Sequence, residues 1–279
     1  VVVSHAHLDH MGLLGAIRAD IPIASSSTTA MIMKSLQDTG QSVCHQEYAY
    51  AVPRIGNGST STIKSSPYTT PATSRPLLTL DSCPPDAAQF WKTSHNGRFI
   101  SPGVVSSEVS NLGAFSIRSF PVDHSVPGCV AVEIQDESTR LIYTGDLRTH
   151  GRRSADTAYF IDYLEANPPD VMLVEGTRIG RAGDRLVSES EVAERAFEIV
   201  KASGGRLVIA DFGGRQMERL ASFAAVAAQL DRRLLISTKD AHLLEAIALV
   251  DSEYDLVGER RIGIYADPRA VEQKWEQRI

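Results

Sequence analysis

The stretch that most constrains this chain is its first, "VVVSHAHLDHMG". A run of valines leads without a break into His5, His7, Asp9 and His10. Consecutive valines suit a strand buried on both faces. Val1 to Val3 therefore read as the end of a core strand, and His5 to His10 as the loop that leaves it. Imidazole suits Zn, Cu, Fe and Ni, and a carboxylate adds negative charge and accepts a proton. The spacing H-x-H-x-D-H is not H-E-x-x-H, where two histidines one helical turn apart share one ion. Four donors within six residues are more than one tetrahedral ion takes from a single loop. The expectation is two ions, each completed from distant segments.

The elements that follow alternate. Met11 to Ala19 carry apolar residues at helical spacing, Ile21 to Ser25 read as a strand, and "STTAMIMKSLQDTG" as a helix capped by Ser27 or Thr28 and ended by Gly40. Residues 53–86 are rich in Ser, Thr, Pro and Gly and read as a flexible surface insertion, with Arg54, Lys64 and Arg75 on a solvated loop. Short strands return near Phe99. "GCVAVEIQDESTRLIYTGDL" is a hairpin, and Asp170 to Val174 a further buried strand. From residue 179 strands and helices alternate with short links: a helix with a capping box (Ser188 with Glu191) and a stop at Gly204, a strand in "RLVIADF", a helix, a strand in "RRLLIS" and a helix in "KDAHLLEAIALV". The texture predicts a second, Rossmann-like domain over 179–279, after a first over 1–178.

Bulk properties then narrow the function classes. The 279 residues are 43% hydrophobic, enough for one large core or two ordinary ones. A net charge of −6 gives no global basic field, so binding a nucleic acid requires a local basic groove. The three cysteines, Cys44, Cys83 and Cys129, are few, odd and far apart, which points to a reducing cytoplasm. No apolar run approaches membrane-spanning length.

Two distant segments carry further donors. "FPVDHSVPG" puts His124 just past a strand, and "LIYTGDLRTHG" puts Asp146 at another strand end. Alone, each is weak, since a lone histidine is usually structural and Asp after Gly is a common turn. With H-x-H-x-D-H they form a set. That set resembles the metallo-β-lactamase superfamily: His5, His7, Asp9 and His10 match its second motif, His124 its third and Asp146 its fourth. "FPVDHSVPGCVAVEI" and "YTGDLRTHGRR" look like the β-CASP branch, especially its ribonuclease J-like and archaeal RNA-processing members, and Glu175 in "LVEGTRIG" fits the acidic residue after the fourth motif. The resemblance covers residues 1–50 and 115 to about 260.

What the resemblance implies is specific. The fold is α/β, an incomplete metallo-β-lactamase αββα sandwich carrying part of an inserted, Rossmann-like β-CASP domain. His5, His7 and His124 hold one zinc, Asp9 and His10 a second, and Asp146 bridges them. A metal-bound hydroxide then attacks a phosphodiester, with Asp9, Asp146 and Glu175 as the carboxylates of the reaction. The expected activity is a zinc-dependent hydrolase, a ribonuclease, exo- or endonucleolytic, with RNA as partner, single-stranded DNA and a homodimer as further partners, and no membrane. The rival readings are a β-CASP nuclease acting on DNA and a hydrolase of small esters or thioesters. A degenerate, non-enzymatic scaffold is a further rival.

Candidate substrate contacts come from composition. Arg148, His150, Arg152 and Arg153 lie in the basic "RTHGRR", and Gly213 and Gly214 in "DFGGRQ" let a backbone approach a phosphate beside Arg215. His242, mid-helix, reads as packing, and His45 and His95 have no partner visible in the sequence. The family carries strands before the second motif and two further histidines after the inserted domain. The chain is therefore expected to be part of a longer protein, poorly soluble and inactive alone, holding one tight metal.

Overall fold

The computed structural model describes residues 1–40, 43–56, 58, 63–67, 69–176, 179, 187–257, 262–265 and 273–276. The valine run finds a neighbour but stops short of a strand. Val2 makes an isolated parallel bridge to Ala24, with the Val3 N–H donating to Ala24 O at 2.8 Å and the Ala24 N–H to Val1 O at 2.7 Å. Two compact units make up the chain. Unit one holds Val1–Val109, Ser237–Asp255 and Tyr265–Ile279, and unit two holds Ser110–Ile236 and Leu256–Ile264.

Unit one is built on a parallel sheet in the order β1 (Ile23–Ser25), β2 (Leu77–Thr79), β3 (Val105–Ser106), in register Ile23↔Leu77 and Leu77↔Val105. The β1 residues are all buried, as a parallel strand covered on both faces requires. The helix α1 (Leu8–Met11) starts inside the metal motif, because His7 O accepts from the N–H groups of His10 and Met11. His5 to His10 are thus only partly a loop: Asp9 and His10 stand on a helical turn. The helix expected over 11–19 shrinks to one 3-10 turn, Leu14–Ala16. Gly15 lies so close to Cys44 O that no side chain fits there. The helix α2 (Ser27–Thr39) forms as expected and ends at Gly40. Its cap is Ser26, one residue earlier, whose side chain accepts from the Thr29 N–H at 3.1 Å. Residues 30–33 of α2 are fully buried. The helix α3 (Pro85–Lys92) follows β2 and buries Ala87, Phe90 and Trp91.

The reading of 53–86 as a solvated insertion needs correction. Arg54–Gly56 pair with Ile63–Ser65, Ala72–Ser74 form a strand, and β2 lies in the core with Leu77 fully buried. Arg75 is 1% exposed. Its guanidinium donates to the carbonyls of Leu14, Ile17, Arg18 and Glu47 at 2.8–3.2 Å. A buried guanidinium needs that many acceptors, so Arg75 staples the loop behind α1 and faces no substrate. Lys64 is exposed, and Arg54 pairs with Glu47.

Unit two carries a five-stranded sheet ordered β8 (Val171–Leu173), β7 (Arg140–Tyr143), β6 (Val130–Gln135), β5 (Phe115–Pro121), β4 (Asn111–Leu112). The expected hairpin is β6–β7, paired Val132↔Tyr143 to Gln135↔Arg140. The neighbours β5 and β6 are antiparallel, as are β6 and β7, whereas β7 and β8 are parallel. Consequently β5, β7 and β8 run the same way, and their carboxyl ends emerge at one edge. The helix α4 (Ser154–Ala166) covers the sheet: Phe160 and Tyr163 stack on Phe120 at 5.3 and 4.5 Å, above Val122, Cys129, Ala131 and Ile142. Each large apolar side chain buried there contributes about 1.5–3 kcal/mol.

Two strand expectations in unit two fail. The β8 strand exists but is not buried. Val171, Met172 and Leu173 are exposed, since β8 is the edge of its sheet. Residues 206–212 form no strand, and Leu207 and Ile209 are more than 80% exposed. An apolar run becomes a strand only where a ladder partner meets it. The helices α5 (Glu189–Ala202), with the expected Ser188–Glu191 capping box, and α6 (Met217–Gln229) pack in this unit. Next come β9 (Leu234–Ser237), paired with β10 (Ile262–Tyr265), and α7 (Thr238–Ala248). Residues 177–178 and 180–186, around the expected domain boundary, lie outside the described residues.

Candidate metal centre

Unit one brings the motif's histidines together at the carboxyl end of the Val1–Val3 segment, where open parallel sheets hold their ligands. His5 is fully buried. Its Nε2 lies 3.1 Å from His7 Nδ1, and its ring centroid lies 4.0 Å from that of His10. Two nitrogens bound to one tetrahedral zinc at about 2.0–2.1 Å stand about 3.3 Å apart, so the His5–His7 geometry fits a shared ion. Ser4 Oγ lies 3.1 Å from His5 Nδ1. With that nitrogen donating to Ser4, the Nε2 lone pair is left facing His7, the arrangement that outer partners impose on metal-binding imidazoles. Asp9 is the exposed member, 3.4 Å from His10 Nε2.

Unit two gathers its donors at the shared edge of β5, β7 and β8. His124 follows β5, Asp146 follows β7 and Glu175 follows β8. His124 Nε2 lies 3.9 Å from Asp146 Oδ2. Glu175 Oε1 accepts from the Leu147 N–H at 3.0 Å, which fixes the backbone directly after Asp146. Cys129 donates from Sγ to Asp146 O at 3.2 Å. Burial pushes its thiol far up, and the Asp146, Asp123 and Glu175 carboxylates add to the shift, so Cys129 stays protonated and is no thiolate ligand.

The basic segment has a different role from the one its composition suggests. Arg148 is 15% exposed and lies between two carboxylates, with Nε 3.2 Å from Asp123 Oδ2 and Nη2 against Glu218 of α6. Asp123 is 1% exposed and also accepts from the Gly151 N–H at 2.6 Å. Arg148 therefore ties the His124 loop to the Asp146 loop and is not available to a phosphate. Arg153 pairs with Asp156, Arg152 is exposed, and His150 and Arg215 are half-buried. Gly213 and Gly214 form an exposed turn before α6. Sequence reasoning missed Ser4, Asp123 and Glu218. Asp123 was legible as the neighbour of His124, whereas Glu218 carried no signal at all.

The fold is α/β. A crystal structure of a protein of unknown function from Enterococcus faecalis V583 superposes on 90% of this chain, and on 49% of its own, with a TM-score of 0.59 at 21% identity. Among curated proteins, this chain is 27% identical over 145 residues to Ribonuclease J of Mycolicibacterium smegmatis, 47% of this chain and 24% of the relative. It is 25% identical over 137 residues to Ribonuclease J 2 of Streptococcus pyogenes serotype M3, again 24% of the relative. The matched stretch spans about a quarter of the length of these relatives. No family model matches. Among the described residues no helix is long and apolar enough to cross a membrane.

Proposed function

We propose that the chain belongs to a metal-dependent phosphodiester hydrolase of the β-CASP type acting on RNA. The observation that carries this reading is the donor geometry at the strand ends: His5 Nε2 and His7 Nδ1 at 3.1 Å in unit one, and His124 with Asp146 at 3.9 Å in unit two. The two Ribonuclease J relatives favour RNA over other esters.

In this reading His5, His7, His124 and Asp146 hold one zinc, and Asp9, His10 and Asp146 a second. When bound, the ions supply an activated water and neutralise charge on the phosphodiester. Ser4 orients His5 for its ligand role. Glu175 and Arg148 position Asp146 and His124 by fixing the loops that carry them. Asp9, exposed beside His10, is the carboxylate best placed to pass a proton to solvent. His150, Arg152, Arg153, Gly213, Gly214 and Arg215 remain as contacts for the nucleic-acid backbone. The free thiols of Cys44, Cys83 and Cys129 suit a cytoplasmic setting.

The test uses the full-length protein with matched 5′-phosphorylated RNA, DNA and a generic ester. RNA cleavage that disappears with chelator and returns with zinc is the expected result. Ester turnover without cleavage of either nucleic acid would overturn the reading, and preferential DNA cleavage would replace its substrate. RNA affinity should also fall steeply with salt, because an acidic chain binds through local Arg and Lys and releases counterions.

A further inference from the structure

A second group of metal-binding side chains lies wholly inside unit one. The helix α2 contributes Lys34, Ser35 and Asp38, α7 contributes His242, and the loop after α3 contributes His95. All are buried: Lys34 0%, Ser35 1%, Asp38 1%, His242 2% and His95 5% exposed. His95 Nδ1 lies 3.3 Å from His242 Nε2 and 3.7 Å from Asp38 Oδ2. One ligand atom from each of Asp38, His95 and His242 lies within 4.8 Å of the other two. Aromatic rings form part of the walls, with Phe90 at 4.7 Å from the His95 ring and Trp275 at 5.9 Å from the His242 ring.

The outer atoms of His242 and Asp38 are already held. Ser35 Oγ lies 2.8 Å from His242 Nδ1, and Tyr50 OH donates to Asp38 Oδ1 at 3.0 Å. Asn96 in turn donates to Tyr50 OH at 2.8 Å. Their inner atoms turn towards one another. Outer partners holding ligands whose inner atoms converge is how metal sites are arranged. The 3.3 Å between the two imidazole nitrogens is also about the separation of two nitrogens on a tetrahedral zinc.

We propose that Asp38, His95 and His242 form a mononuclear site for a borderline divalent cation such as Zn²⁺, separate from the H-x-H-x-D-H donors. The competing tenant is the Lys34 ammonium, which contacts Asp38 Oδ2. A bound cation takes the place of the Lys34 ammonium at Asp38 Oδ2.

The experiment takes the full chain carrying His5→Ala, His7→Ala and His10→Ala, strips it with chelator and titrates it with Co²⁺ alone. Absorbance reports tetrahedral cobalt. About one cobalt per chain is expected, lost on adding His242→Gln while thermal unfolding stays cooperative. A cooperatively folded triple variant that takes up no cobalt, or takes it up equally with His242→Gln, would show an ion-pair network only and overturn the proposal. Should the triple variant fail to fold, His242→Gln in the otherwise unaltered chain tests the same site. It must lose about one metal equivalent, and an unchanged stoichiometry overturns the site. The proposal does not depend on the hydrolase reading, since neither RNA nor activity enters the measurement.

Discussion

The two halves of the proposed hydrolytic centre are built by opposite means. In unit one, His5, His7, Asp9 and His10 are neighbours in the chain, and a single turn of α1 with one serine is enough to orient them. In unit two, His124, Asp146 and Glu175 meet only because β5, β7 and β8 run the same way and end at one edge. The local half depends on a few dihedral angles. The assembled half depends on sheet register and on buried ties between loops, so residues that never touch a metal matter more there.

Five substitutions bear on that contrast, from the largest effect down. Asp146→Asn should reduce RNA cleavage by the full-length protein to background with the fold intact, because an amide cannot balance two dications. Cleavage comparable to the parent in zinc-replete buffer would remove Asp146 from the centre. Arg148→Ala should cost about 3–5 kcal/mol in denaturant unfolding, since it removes the cation shared by the buried Asp123 and Glu218 carboxylates and leaves them with backbone N–H donors. A loss below about 1 kcal/mol would mean the ties between loops are incidental, and the contrast would fail. Glu175→Ala should weaken zinc binding about 10–100-fold, because the Leu147 N–H loses its acceptor and the backbone after Asp146 is no longer fixed. Unchanged affinity would leave Glu175 without its positioning role.

Ser4→Ala should weaken zinc binding less, by under about tenfold, because the local half keeps its turn and loses one orienting hydroxyl. A larger effect than that of Glu175→Ala would reverse the comparison. The smallest effect is on acid stability. Arg219 donates to Glu189 and holds its carboxyl below the usual range, linking α6 to α5. A depressed carboxylate stabilises the fold above its unfolded pKa, and that contribution is lost as pH falls through the folded value. Glu189→Gln should therefore cost a few tenths of a kcal/mol at neutral pH and nothing once both forms are protonated. Unfolding curves at neutral and strongly acidic pH would check it, and an equal difference at both would refute the linkage.

Several structural features were legible because they are local. The α2 helix, its stop at Gly40, the Ser188 capping box and the β6–β7 hairpin each depend on residues close in sequence. Others failed where a distant partner decides the outcome. "RLVIADF" has strand composition, but no ladder meets it, and β8 has core composition but sits at a sheet edge. Arg75 sits in a stretch of loop-like composition, yet it is among the largest fully buried side chains.

By itself the sequence determined an α/β chain with donors of zinc-binding type placed at strand ends, because hydrophobic period and residue chemistry are carried by neighbours in the chain. Only the tertiary structure decided what long-range pairing controls. It turned Arg148 from a presumed phosphate contact into a buried tie and gave His95 and His242 to each other across 147 positions. It also paired Lys34 with Asp38 in the buried interior. A buried polar group must find its partner wherever the fold puts one, and no window of sequence contains that information.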